Sequence, residues 1–441
     1  MGALIPDALT TAILFMVAVA ALSLSLGNTL METTDAYYRG LWMLLPFTMQ
    51  MTLILVLSSA LGATRFFRRL IVTFSRVPNT AGGTLAMCIL TSSCLSYCYW
   101  GLGLALGPLV AVNFARQAER KGIPIDFPFL LSTTAAANAV WQFGLSASAP
   151  LLMNTPGHFL EEVTGIMPLS TTIFAPATIV FVPLFLTSVF VSARLLLPQN
   201  PRYISQFPKA CELADRAQQK VSKKTVTGGG ASGTLSHQLE ENSLPTAALI
   251  LALAAWLIYH VTVKGGGLDL NSLNTGLLLL CLVFHGNVRN FSRALPDAVL
   301  IAWPVIVLYH LYAGVAGLIQ FTSVGDDLAS FFGAVSTQYT YPLLTAFSAA
   351  IVSVFVPSSG GQWVIQGFIV TKTAAAVGVT AQRGLLALSV GDHVGNLVSP
   401  FWAVIAAGIA RVDFRCYIGY NVIYVVLWFG LGVLCFTFLP S

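Results

Sequence analysis

Charge is what this 441-residue chain has least of: Asp, Glu, Lys and Arg make up 9% of it, against about 25% in soluble domains. That scarcity excludes an ordinary soluble fold. With 56% hydrophobic residues and a mean hydropathy of +0.79, the composition reads as an all-α polytopic membrane protein. Metal-ligand spacing is missing too. The seven cysteines include no CxxC pair and no Cys/His pattern of a metal site. Five of them (Cys88, Cys94, Cys98, Cys281 and Cys435) fall in apolar segments, where a free thiol behaves as a small hydrophobe. Neither HExxH nor GxSxG occurs, so the chain lacks the constellations of a membrane-embedded enzyme, and no cofactor or metal is expected. Met1 to Pro6 hold no Lys or Arg ahead of the first apolar run, so a cleaved signal peptide is not expected. The 22 basic residues are spread over loops, which excludes a nucleic-acid surface and reports topology instead.

What is there is a series of apolar segments. Leu9–Leu26 and Trp42–Leu61 read as the first two spans, joined by a nearly neutral loop with Glu32, Asp35 and Arg39. Arg65, Arg68, Arg69 and Arg76 follow and mark the cytoplasmic side, which places the N-terminus inside. Phe127–Ala147 and Pro168–Leu197 cross out and back. Residues 198–243 form the one soluble stretch, with Lys220, Lys223, Lys224 and Gly228-Gly229-Gly230, and read as a cytoplasmic linker. Residues 244–262 supply a connecting span. Leu273–Phe284, Val299–Tyr312, 383–410 and Tyr417–Leu439 complete nine crossings, with the basic residues Arg289, Arg293, Arg411 and Arg415 inside.

Two segments fit neither a span nor a loop. Residues 81–114 leave the cytoplasmic side and return to it, interrupted by Ser92-Ser93, Ser96 and Tyr99-Trp100-Gly101. That length suits a re-entrant hairpin better than two spans of about 20 residues each. Residues 341–378 do the same from the outer side, broken at Val356-Pro357-Ser358-Ser359-Gly360-Gly361-Gln362. Pro357 disfavours helix at Val356, and the two glycines admit backbone angles that other residues resist. Helices broken at membrane depth must hide the freed backbone groups in protein or turn them to a watery cavity, and transporters hold substrates at such breaks. Gly101 and Gly107 recur as Gly361 and Gly367 at a constant offset (361 − 101 = 260 and 367 − 107 = 260). Each hairpin precedes a span with a polar interruption and a proline: Asn138 through Gln142, Ser146, Ser148 and Pro150 in one, Asp392-His393 through Asn396 and Ser399-Pro400 in the other. These features predict two inverted repeats, 1–197 and 263–441, each with a re-entrant hairpin and a broken transmembrane helix.

From Phe355 to Gly367 the sequence resembles the short-chain fatty acid transporter family, the acetoacetate-operon type permease. The likeness extends through Trp100-Gly101-Leu102-Gly103-Leu104, Leu145 to Leu152, Thr155-Pro156-Gly157-His158 and Pro400-Phe401-Trp402-Ala403. The resemblance implies a cation-coupled secondary carrier for small monocarboxylates such as acetoacetate or butyrate in the bacterial inner membrane. It also implies similarity to the ion-transporter superfamily, whose members pair two hairpins in each protomer of a homodimer. The sequence departs from the family at Tyr99, where Asn is common, at Phe368, where Pro usually follows Gln-Gly, and at Asp392, where Glu is frequent. A carrier for a dicarboxylate and a passive anion channel are the alternative readings.

A short-chain carboxylate needs hydrogen-bond donors at one end and an apolar pocket at the other. The only basic residue in either hairpin is Lys372, placed to snorkel toward the interface. Donors must then come from the breaks themselves, as backbone N–H groups at half-helix N-termini and polar side chains. The candidates are Ser92, Ser93, Tyr99, Trp100, Gly101, Asn138, Gln142, Ser146, Ser148, Ser358, Ser359, Gly360, Gly361, Gln362, Asn396 and Ser399. Serine in a membrane helix also bonds its own backbone or a neighbouring helix. Asp392 is the one acidic residue inside a predicted span, a costly position that marks function. With His393 beside it, it can carry a coupling proton or lend oxygen to a cation such as sodium; a half-helix cap is the competing role.

Overall fold

Proline sets where many of the helices begin. Seven of them carry Pro at their first or second position, where no backbone N–H is needed and the fixed φ suits the first turn. The computed structural model describes residues 8–222, 240–300 and 302–440, and no strand occurs among them. Met1 to Pro6, Lys223, Lys224 and Gly228 to Gly230 lie outside the described residues.

Six helices in the first half have counterparts in the second, in the same order. Ala8–Ser25, Leu30–Met43, Leu45–Gly62, Arg65–Ser75, Ala81–Cys98 and Trp100–Arg120 correspond to Leu270–His285, Val288–Leu300, Trp303–Phe321, Val324–Val335, Tyr341–Ser353 and Ser359–Ala376. Each start lies 258 to 262 residues after its partner (303 − 45 = 258; 270 − 8 = 262). Packing between the halves is reciprocal. Leu30–Met43 and Ala8–Ser25 pack on Trp303–Phe321, while Val288–Leu300 and Leu270–His285 pack on Leu45–Gly62. In each half the two hairpin helices also pack against the first helix of the following broken span. Ser243–Thr262 stands between the halves with only Thr246 buried.

By length and composition, six described helices suffice to cross a membrane, or seven if one bent pair counts as a single span. The bent pair is Ala381–Val398 with Pro400–Ala410, turned by 53° at Ser399. Ala81–Cys98 is itself one of the six, although it was expected as one limb of a hairpin. Ala8–Ser25 and Leu270–His285 are shorter or partly described apolar helices. The expected crossing Phe127–Ala147 stops at Asn138, tightens into a 3₁₀ turn over Ala139–Phe143 and restarts as Ser148–Asn154.

One local expectation needs correction. The loop carrying Glu32, Asp35 and Arg39 is instead the helix Leu30–Met43, opened by a capping box in which the Thr29 N–H donates to Glu32 Oε2 at 2.7 Å and the Glu32 N–H donates to Thr29 Oγ1. Lys372, expected to snorkel toward the interface, pairs with the exposed Asp326 and lies 4.4 Å from the Phe368 ring centre. Part of the 198–243 stretch is also ordered, as the helix Pro208–Ser222. Its Asp215 receives Arg116 Nε at 2.9 Å and Arg120 Nη2 at 2.7 Å, which docks the helix on the end of the first hairpin.

Leu30–Met43 and Trp303–Phe321 approach so closely that a Cβ on Gly317 would lie 2.4 Å from the Ala36 carbonyl oxygen and 2.6 Å from Gly40 Cα. Only glycine allows that crossing. Gly317→Leu should therefore lower stability by about 1–3 kcal/mol, read as a drop in the melting temperature of the detergent-purified protein. Gly430→Leu, with nothing within 4 Å of its would-be Cβ, should melt like the wild type. Equal melting of both variants would refute the close crossing.

Candidate functional site

Each hairpin break is pinned by polar side chains from neighbouring elements. In the first, only Tyr99 separates the helices, and its backbone is extended (φ −142°, ψ 115°). The freed Trp100 N–H donates to Ser146 Oγ at 2.8 Å. Asn138, the last residue of Phe127–Asn138, ties both limbs together: Ser92 Oγ donates to its Oδ1 at 2.6 Å, and its Nδ2 donates to the Gly103 carbonyl at 3.1 Å. Gly107 makes room for it, since a Cβ there would lie 2.2 Å from Asn138 Nδ2.

The second break is held in a parallel way. Ser358 Oγ caps the following helix by accepting from the Gly361 N–H and donates to Tyr309 Oη at 2.9 Å. Gln362 Nε2 donates to the Ala349 carbonyl at 2.7 Å, which joins the two limbs. Trp402 Nε1 donates to the Pro357 carbonyl at 2.8 Å, which attaches the break to the second broken span. Ser399 caps that span by accepting from the Phe401 N–H.

The two broken spans meet at Asp392. This carboxylate is fully buried, and its Oδ2 accepts from Gln142 Nε2 at 2.7 Å and from Asn396 Nδ2 at 2.9 Å. Gln142 Nε2 also donates to the Ser389 carbonyl at 3.0 Å. Asp392 Oδ1, Gln142 Oε1, Asn396 Oδ1 and Ser389 Oγ have no hydrogen-bond partner in the protein. Buried polar atoms without partners are uncommon and call for an explanation. His393, also buried, has both ring nitrogens unpartnered and sits against Trp141 and Trp428.

A cavity of about 780 Å³ opens between the breaks. Of the residues expected at the site, Trp100, Gly101, Asn138, Ser148, Ser358, Ser359, His393 and Asn396 line it. Ser92, Ser93, Tyr99, Gln142, Ser146, Gly360, Gly361, Gln362, Asp392 and Ser399 do not. Ser93 bonds back to the Leu90 carbonyl, and Ser92, Ser146, Gln362 and Ser399 are occupied in holding the breaks. Among the residues that line the cavity, Trp100 Nε1, Ser359 Oγ and both ring nitrogens of His393 are buried without a hydrogen-bond partner, so unsatisfied polar groups lie within the wall of an otherwise mostly apolar space. Tyr309, Tyr312 and Trp402 also line the cavity. The two tyrosines were missed, though hydroxyls at i and i+3 in the apolar run 299–312 are the kind of polar handle that seeks a partner when buried.

The Gln142–Asp392 bond joins the first half to the second. Gln142→Leu leaves the buried carboxylate one donor short and should cost about 1–3 kcal/mol, visible as a lower melting temperature in detergent. A variant that melts unchanged would show that the bridge does not hold the halves together.

The profile of the short-chain fatty acid transporter family matches residues 2–439. Proteins of Escherichia coli (strain K12) and Haemophilus influenzae that carry the provisional name of short-chain fatty acid transporter are each 28% identical to this chain, over 94% of its length and 92% of theirs. The solved YdaH transporter of Alcanivorax borkumensis shares the fold, with a TM-score of 0.63 across 99% of both chains at 14% identity. These relatives are transporters and not enzymes. The chain is a multi-pass membrane protein that belongs to the short-chain fatty acid transporter family.

Proposed function

We propose that this protein moves small monocarboxylates such as acetoacetate or butyrate across the bacterial inner membrane by cation-coupled alternating access. The observation that carries this reading is the cavity between the two breaks, apolar along most of its wall, with the unpartnered polar groups Trp100 Nε1, Ser359 Oγ and His393 buried within that wall. Those groups suit a carboxylate head, and the apolar wall suits a short alkyl tail. Helix order that repeats across the halves, with reciprocal packing and one connecting helix between them, supports inverted repeats that rock about a shared site. A channel needs no such pairing. The basic residues after Leu45–Gly62 favour a cytoplasmic N-terminus, with the first hairpin entering from the inside and the second from the outside.

Coupling falls to Asp392 in this reading. An anion entering against a negative-inside potential is opposed by about 2.3 kcal/mol per charge per 100 mV. One co-transported cation cancels that penalty. Asp392 can bind a proton at its unpartnered Oδ1, or lend that oxygen to a cation such as sodium. Asp392→Asn should abolish gradient-driven accumulation of labelled butyrate in proteoliposomes and leave counterflow, which needs no net cation movement. Accumulation that persists in the variant would remove Asp392 from coupling. A wild-type protein that gives no counterflow with any C2–C6 monocarboxylate would overturn the proposed function itself.

A further inference from the structure

The cavity does not end at the breaks. From Trp100 and Ser359 it continues along Gly103 to Leu109 on one side and Phe401 to Ile409 on the other, and reaches Ser59, Gly62, Ala63 and Arg68. Arg68 is the one lining residue with a fixed charge, and no Asp, Glu or Lys lines the cavity. It lies on Arg65–Ser75, an amphipathic helix that buries Ile71, Val72 and Ser75 and leaves Arg65 and Arg69 exposed. Arg68 is half-buried between these faces, and among the described residues its guanidinium makes no hydrogen bond or ion pair. Arg116, Arg120 and Arg202, by contrast, are each bound to a carboxylate.

We infer that Arg68 is the charged entry residue of this cavity, a guanidinium that draws the carboxylate in at the Arg65–Ser75 end and sets affinity from that face. The inference rests on the proposed transport of monocarboxylates and adds a specific station on the path. Fixing the orientation of the protein in the membrane requires basic residues in the loop, and Arg65, Arg69 and Arg76 already serve that purpose. It does not require one turned into a cavity. A guanidinium presents a planar fork that matches a carboxylate, and a single positive charge in a low-dielectric cleft concentrates its field there. The deeper donors at Trp100, Ser359 and His393 carry no fixed charge, so an anion meets its one full countercharge at Arg68.

The test compares the two faces of the membrane. Labelled butyrate transport is measured in right-side-out and inside-out vesicles for the wild type, Arg68→Gln, Arg68→Lys and Arg69→Gln. Arg68→Gln should raise the KM by about tenfold at the face bearing Arg65–Ser75 and make that KM insensitive to ionic strength. KM at the opposite face should stay unchanged, which also shows that the variant is folded. Arg68→Lys should recover part of the loss, and Arg69→Gln should match the wild type at both faces. An Arg68→Gln protein with wild-type KM at both faces would overturn the inference, as would one whose KM rises equally at both. Wild-type vesicles that carry no butyrate in either orientation would instead overturn the transport reading beneath it.

Discussion

A helix broken inside a bilayer leaves backbone N–H and C=O groups where no water can satisfy them, and the arrangement of this protein follows from where those groups are directed. Asn138 joins the limbs of the first hairpin through Ser92 and the Gly103 carbonyl. Gln362 joins those of the second through the Ala349 carbonyl. The following broken spans then reach back to the breaks, with Ser146 accepting from the Trp100 N–H and Trp402 donating to the Pro357 carbonyl. Most of the polar side chains that look functional in the sequence are therefore engaged in holding a shape. The shape is what gathers the few unengaged polar groups into the wall of one cavity.

This division of labour explains how the proposed anion site can lack a buried Lys or Arg. A full positive charge at depth would be costly to desolvate in the empty state. Neutral donors such as an indole N–H and a serine hydroxyl cost less when unoccupied and still favour a carboxylate when it arrives. The one deep acidic group, Asp392, is kept off the cavity wall and bonded to amides from both halves. In the proposed cycle its spare oxygen answers to the cation, while the cavity answers to the anion.

Much of this was legible in the sequence. Pro357 with Gly360-Gly361 marks the second break, and Gly101 and Gly361 share the offset that the helix starts follow throughout. The cluster Asn138 to Ser148 identifies a broken span because polar residues have no other reason to interrupt an apolar run. What was not legible is which polar group points where. Ser92 and Ser359 are equivalent as letters, yet one is bonded to Asn138 and the other lines the cavity unpaired. That difference depends on rotation about each helix axis and on packing between distant segments. Thr29 and Glu32, by contrast, carried a local helix-start signal that was overlooked because the charges nearby suggested a loop.

The central claim, that the cavity between the breaks is the substrate path, is most directly tested by protection of Ser359→Cys. All seven native cysteines would first be replaced, and butyrate counterflow of that protein confirmed. Reaction of the new thiol with a small methanethiosulfonate should then slow in proportion to site occupancy as butyrate is added. A cysteine at Ser92, which does not line the cavity, should show no such protection. A transporting Ser359→Cys protein whose labelling rate is unmoved by saturating butyrate would contradict the claim.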